Sequence, residues 1–440
     1  VAQIVTADIE VYDPSVQSTR TLRYATQGYV VGGAPAVEPT LDPRITFTRA
    51  STATRFNSAG VLETVAANTA RFHYNPTTRE IEGLLIEEAR TNSIRNNTMQ
   101  GAVAGTPGTL PTNWGVSGLG TLTQQIVGTG TANGITYIDV RFSGTTSTTT
   151  LSVIFDGSTV IAAANGQTWA QSIWTAVVAG STANIITTQN TANLFDSGGV
   201  YLANVAYATP IFNTTSVLTR SSSVGTISTV GTAFIRPILA LAFAAGVAID
   251  ITLRIGLPQL ELGAFATSAI PTTTTALTRA ADVASVNTLS PWYNASAGTL
   301  YAEFVVSFDS STSIFPIAAY VSDGTFSNTV VLYERTVDDT RRGNIRVGGV
   351  QQFDQTNGSA YVYGTVAKTA IAFQTNDVAF SANGTSPTTS ASTTIPTVNV
   401  LGLGSTNSLG GSLSPLNGYL RRITYYPRRL SNAELQSITV

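Results

Sequence analysis

Cysteine is absent from these 440 residues, and histidine and methionine occur once each. No disulfide framework, thiolate metal site or cysteine nucleophile is therefore available. A lone histidine, His73, leaves no imidazole cluster for zinc. Charge is scarce as well: Asp, Glu, Lys and Arg make up 11% of the chain, against about a quarter in an average globular protein. With a net charge of −2 and no basic stripe to meet phosphates, nucleic acid is not an expected partner. The small basic pairs Arg341-Arg342, Arg421-Arg422 and Arg428-Arg429 read as solvated rims or salt bridges. Lys368 is the one lysine beside 22 arginines. Arginine's planar set of donors suits it to fastening carbonyls and carboxylates. The longest apolar run, 238–249, stops at Asp250 and is too short for a membrane helix, so no membrane insertion is expected. The opening residues do not read as a secretory leader.

What fills the space left by charge is Thr, Ser, Ala, Gly and Asn, with 43% hydrophobic residues. Low charge with ample apolar material argues against disorder, and branched side chains suit pleated sheets. The length calls for two or three cores. Residues 1–42 hold two short strand candidates, at 7–12 and 21–25, then Gly and Pro breaks; they read as an extended attachment segment. Residues 43–92 read as a hairpin-rich linker platform, with Asn57-Ser58-Ala59-Gly60 as a turn between strands at 53–56 and 61–65. Arg44, Arg49, Arg55 and Arg90 are expected to pair with Glu87 and Glu88, with Phe47 and Phe56 as apolar anchors. Recurrent short strands then fill 93–275, a first sandwich, in which the run 238–249 reads as a buried strand, a turn near Gly246 and the next strand. A linker at 276–290, where Thr278-Arg279-Ala280 echoes Thr48-Arg49-Ala50, leads to a second sandwich over 291–440. At its end Ser431, with Glu434 three residues later, predicts a capped final helix. The fold class is all-β: two β-sandwich domains behind an extended N-terminal region.

The catalytic vocabulary is thin. His73, between Phe72 and Tyr74 in a strand, has no visible acid or nucleophile beside it and reads as structural. A glycosidase needs two carboxylates across a cleft, but Glu87-Glu88 are adjacent and would face opposite ways in a strand. Asp338-Asp339 precede Arg341-Arg342 and read as their partners. Asp309, Asp323 and Asp377 offer oxygens for a structural calcium, yet no dense acidic loop gathers the six or more that the ion takes. No enzyme activity, catalytic residue or cofactor is expected. For a sugar the useful groups are aromatic faces with polar neighbours, and the candidates are Trp114, Trp174, Tyr333, Tyr361 and Tyr363. Trp169 and Trp174 lie five apart, so on one strand at least one of them belongs to a core. Trp292 and Tyr293 fill a junction.

Two segments carry a resemblance. Pro43-Arg44-Ile45-Thr46-Phe47-Thr48-Arg49-Ala50 with its continuation to Phe56, and Gly83-Leu84-Leu85-Ile86-Glu87-Glu88-Ala89-Arg90-Thr91-Asn92, together resemble a signature of tailed-bacteriophage structural proteins. In those proteins the signature precedes sugar-binding-like β-domains. The phrase Pro258-Gln259-Leu260-Glu261-Leu262-Gly263, with Asn113-Trp114 upstream, is similar to the ends of jelly-roll carbohydrate-binding modules. Gly418-Tyr419-Leu420-Arg421-Arg422-Ile423-Thr424-Tyr425-Tyr426 looks like the terminal strand of concanavalin A-like or laminin-G-like domains. The resemblance implies a virion protein, tail-fibre-like and particle-attached, in which the N-terminal region meets other virion proteins. A homotrimer and a host surface glycan are the implied partners. A capsid-decoration, head-spike or tail-assembly protein is the alternative, and a glycan depolymerase a weaker one.

Overall fold

The computed structural model describes residues 8–13, 18–23, 39–205, 207, 217–308, 315–358, 360–404 and 413–440. The chain is all-β: strands run in antiparallel-dominated sheets, and one short helix, Asn432–Ile438, occurs among the described residues. None of the described helical structure is long and apolar enough to cross a membrane. Two compact units emerge. Unit 1 comprises residues 1–89 and 280–440, and unit 2 comprises residues 90–279.

Unit 2 is thus an insertion in unit 1, where the sequence suggests a serial order of linker, sandwich, linker, sandwich. Much of the expected attachment segment (1–7, 14–17 and 24–38) lies outside the described residues. Within that segment Asp8–Asp13 pairs with Ser18–Arg23 and runs parallel to Gly418–Tyr426. Residues 43–89, read as a linker, supply strands to unit 1. Thr46–Thr48 pairs with Val283–Val286, and Ile81–Ile86 pairs with Gly418–Tyr426. The expected hairpin is present, Ala53–Phe56 against Leu62–Val65. Asn57 Oδ1 closes its turn by accepting from the Ala59 and Val61 amides.

The reason 43–89 belongs with 280–440 is a buried ion cluster. Asp282, fully buried, accepts from Arg49 Nη1 at 3.0 Å and from Arg71 Nη2. The Glu87 amide donates to its Oδ2 at 2.9 Å, and the Asp282 amide returns a bond to the Glu87 carbonyl. Arg71 also meets Glu87 at 2.9 Å. The remaining donors go to carbonyls: Arg49 to Ser51, Ala66 and Thr69, and Arg71 to Thr54. Burial pulls the Arg71 pKa down, but Asp282 and Glu87 outweigh it and the net shift is upward.

Two sheets make up unit 1. In one, Gly418–Tyr426, Ala297–Val306, Ala367–Gln374 and Asp377–Ala382 are successive neighbours. In the other the order is Val350–Thr356, Thr340–Val347, Thr329–Arg335, Phe315–Ser322, Val400–Leu403, Val283–Val286, Thr46–Thr48. They approach closely at Gly343, where any Cβ would lie 2.6 Å from the Phe380 ring. The final helix has the expected capping box, Ser431 with Glu434, and buries Leu435 against Tyr301, Ala370 and Ala379. In unit 2 a five-stranded sheet centred on Ala248–Leu262 faces a sheet centred on Phe234–Ala242. Ile138, Phe142, Leu239, Leu241 and Leu253 share the core between them. The turn read near Gly246 is there, with Gly246 at φ 78°. Unit 2 begins and ends on paired strands, Arg90–Asn92 and Leu277–Arg279. Buried amides stitch these ends: Asn92 Oδ1 accepts from the Leu260 amide and Asn97 Oδ1 from that of Thr272.

Two stability predictions follow from buried charge. Asp282→Asn strips most counter-charge from two buried guanidinium groups and is expected to cost about 3–5 kcal/mol in chemical denaturation. Asp250→Asn, at the exposed pair with Arg141, is the control and costs under about 1 kcal/mol. Glu334 is fully buried between the sheets opposite Arg341, and neither carboxylate oxygen has a hydrogen-bond partner among the described residues. Burial pushes this carboxyl up to about 8, with Arg341 pulling the other way. The folded chain therefore holds a proton that the unfolded chain loses near its ordinary 4.5. Stability is expected to fall as pH rises through that window, and denaturation of Glu334→Gln at a series of pH values should show a flatter profile.

Candidate functional site

The residues singled out from the sequence scatter across both units, and most are fasteners. Arg44 closes on Asp42, and Arg55 on Glu63 at 2.8 Å. Phe47 is buried beneath the Arg49 guanidinium, and Phe56 meets His73 edge-on at 5.7 Å. Arg90 donates to the Leu262 carbonyl and lies over Phe265. Glu87 meets Arg71 at 2.9 Å, and Glu88 accepts from Asn417 at 3.1 Å. Arg71 carried no sequence signal beyond its place in a strand. His73 is buried, with Nε2 3.7 Å from Glu82. Four of the six arginines in the basic pairs meet acids: Arg342 with Asp338 and Asp354, Arg421 with Glu303, Arg428 with Glu434, Arg429 with Asp377.

Among the proposed sugar platforms, Trp174 is 4% exposed and the Arg220 guanidinium lies over its ring at 4.5 Å. Trp169 is in the unit 2 core. Trp114 is half-buried against Phe155 and donates Nε1 to the Asn96 carbonyl at 2.7 Å. Tyr361 is buried and ties a loop, accepting from the Val306 amide and donating to the Thr365 carbonyl. Tyr363 donates to Asp339. Of the five, Tyr333 lines an open cleft.

That cleft, about 280 Å³, lies on the face of unit 1's second sheet turned away from its partner sheet. Strand register builds it. Tyr333 pairs with Ile317 on one side and Arg342 on the other, and Asn344 pairs with Asp354. All of these point to the same face, because side chains alternate along a strand. Three rings contribute: Phe315 stands edge-on to Tyr333 at 5.8 Å, and Phe326 lies under the Arg346 guanidinium at 4.8 Å. Tyr333 donates to Asp354 Oδ1 at 3.0 Å. Burial and then the Asp354 charge push the Tyr333 phenol well up, so it remains a donor at any physiological pH. Asn344 is 4% exposed, lines the cleft, and its Oδ1 has no hydrogen-bond partner among the described residues. A buried amide oxygen without a partner is costly.

The chemistry this wall can do is recognition. Amide and guanidinium groups present donors and acceptors to hydroxyls, and rings present apolar faces to C–H groups. Asp354 is the one carboxylate in the described lining, and Tyr333 and Arg342 already hold it. Of the aspartates weighed for calcium, Asp309 lies outside the described residues. Asp323 is taken up by Thr325 and Asn328, and Asp377 by Arg429. Among the described residues no group of three or more His, Cys, Asp or Glu is placed to hold a metal ion. Because Trp174 is packed rather than presented, Trp174→Ala is expected to lower stability by about 3–5 kcal/mol in thermal unfolding.

No family model matches the chain, and no curated protein matches it significantly. Among solved structures it is similar to the Ruminococcus gnavus IT-sialidase CBM40 bound to α2,3-sialyllactose. There the identity is 19% and the TM-score 0.29, over 33% of this chain and 84% of that one. A heptameric SAP-like pentraxin from Limulus polyphemus is similar at 14% identity and TM-score 0.26, over 33% and 70%. The tandem CBM22-1–CBM22-2 of Paenibacillus barcinonensis Xyn10C is similar at 10% identity and TM-score 0.25, over 68% and 96%. No residue role for this chain is taken from these likenesses.

Proposed function

We propose that this chain is a non-catalytic glycan-binding protein. The observation that carries the reading is the unit 1 cleft, where the rings of Tyr333, Phe315 and Phe326 stand beside the polar side chains of Arg335, Asn344, Arg346 and Gln351. A sugar ring has one apolar C–H face and a rim of hydroxyls, and this wall offers a counterpart to each. The setting we infer is a bacteriophage virion, with the chain acting as a tail-fibre-like adhesin that attaches particles to a host surface glycan. The resemblance of residues 43–56 and 83–92 supports that setting. Many weak copies on one particle, as in a homotrimeric fibre, would act together through effective concentration.

The test is a glycan array read with the full-length chain, followed by titration calorimetry on any hit. Phe326→Ala and Asn344→Leu are each expected to weaken binding about tenfold or more, with melting curves confirming the fold. An array without hits, or hits untouched by both substitutions, would sink the glycan reading and favour a decoration or assembly role.

A further inference from the structure

Unit 2 has an outward sheet face of its own, and it carries an unmatched charge. The strands Thr187–Phe195, Phe234–Ala242 and Thr150–Ile154 lie side by side with Tyr201–Asn204 at one edge. Alternation sends Ala192, Leu194, Ile235, Leu239, Leu151 and Val153 into the core. Their neighbours on each strand, among them Gln189, Asn193, Arg236 and Ser152, line an open groove of about 380 Å³ on the other face.

Arg236 sits at the heart of this groove, about half-buried. Its guanidinium rests on the Phe195 ring at 4.7 Å. Nε and Nη2 both donate to Asn193 Oδ1, at 3.3 and 2.8 Å. Asn193 in turn donates to Asn204 Oδ1 at 2.7 Å, and Asn204 Oδ1 also accepts from the Tyr201 hydroxyl at 3.1 Å. A fixed ring, a fixed amide and a relay of hydrogen bonds therefore hold the guanidinium in one pose. Among the described residues no carboxylate pairs with it, and Nη1 has no hydrogen-bond partner. The adjoining stretch outside the described residues, 206 and 208–216, contains no Asp or Glu. Among the described residues its polar contacts go to a single neutral amide oxygen. Burial alone pulls its pKa down, the mark of a charge with no anion beside it. Tyr201, 52% exposed and edge-on to Phe195 at 6.1 Å, raises an aromatic wall at the groove's edge.

We propose that this groove is a second saccharide site and that it reads a carboxylate-bearing sugar: Nη1 and Nη2 of Arg236 grip the carboxylate, Tyr201 packs on the ring, and Gln189 and Ser152 meet hydroxyls. A planar guanidinium with a free edge matches a carboxylate bidentately. A phosphate or nucleic acid would call for further cations, and Arg236 is the sole charged side chain in the lining. The inference extends the glycan-binding reading to a different unit, and the two fail separately.

The experiment uses the full chain and a panel of uronate- and nonulosonate-bearing oligosaccharides, each beside its carboxyl-reduced neutral form. At least one acidic member is expected to bind about tenfold or more tightly than its reduced form. Arg236→Gln should erase that preference. Asn193→Asp, which sets a carboxylate at the 2.8 Å contact with Arg236 Nη2, should do so too by giving the guanidinium an anion of its own, and it keeps the test alive if Arg236→Gln does not fold. Phe326→Ala, in the unit 1 cleft, should leave the preference intact. No acidic preference in the parent chain, or a preference that survives both groove substitutions, overturns the inference even if neutral glycans bind. Loss of the preference in Phe326→Ala overturns it as well, by placing the acidic site in unit 1.

Discussion

The carboxylate of Asp282 is the point at which unit 1 becomes one body. Its two oxygens take a guanidinium from residue 49, a guanidinium from residue 71 and the amide of residue 87, and all four groups are shielded from water. A buried charge cluster of this kind is weak evidence for net stability, since dehydrating each ion costs several kcal/mol. What it supplies is specificity of pairing. The ion pairs described for Arg49 and Arg71 go to Asp282 and Glu87, so the N-terminal strands have one address. Once they are docked, Thr46–Thr48 extends one sheet and Ile81–Ile86 extends the other. The outward face that holds the Tyr333 cleft is a part of the first of these sheets.

Arginine is the general fastener of the molecule. Surface pairs such as Arg141 with Asp250 are solvated and contribute little. Those that bind carbonyls and rings in the interior hold loops where a sandwich of threonine-rich strands would otherwise have few specific contacts. Arg49 spends its donors on three carbonyls and one acid, Arg220 covers Trp174 while donating to Thr267 and Ser172, and Arg90 crosses Phe265 to reach Leu262. Arg236 has only Asn193 for a polar partner among the described residues.

Much of the local structure was legible in the sequence. Alternation marked the strands, Asn57 to Gly60 the hairpin, Gly246 the turn, and Ser431 with Glu434 the helix cap, because each is decided by residues a few positions apart. The insertion was not legible. Residues 43–92 look like a linker until Arg49 and Arg71 are seen to meet Asp282, and nothing local to a single aspartate announces partners two hundred residues away. Of the two Thr-Arg-Ala phrases, 278–280 falls at the end of the insertion, while 48–50 lies well before its start at Arg90. The site fared similarly. Aromatic type alone nominated five residues and could not tell a ring under an arginine, as at Trp174, from one on a cleft wall, as at Tyr333. Asn344 and Arg236 were invisible, since what distinguishes each is a missing partner, and that is a property of the folded surroundings.

The paired strands at the two ends of unit 2 have a consequence for the order in which the chain can assemble. As the polypeptide is synthesised, Arg49, Arg71 and Glu87 emerge long before Asp282 and cannot complete their cluster until it follows. All of unit 2 emerges in between. Domains generally fold as units in the order of their synthesis, and when Arg90–Asn92 and Leu277–Arg279 join, the two loose ends of unit 1 are brought side by side. The entropy of closing so long a loop is then already met by the inserted unit, and the outer sandwich closes across a gap that its own insertion has removed.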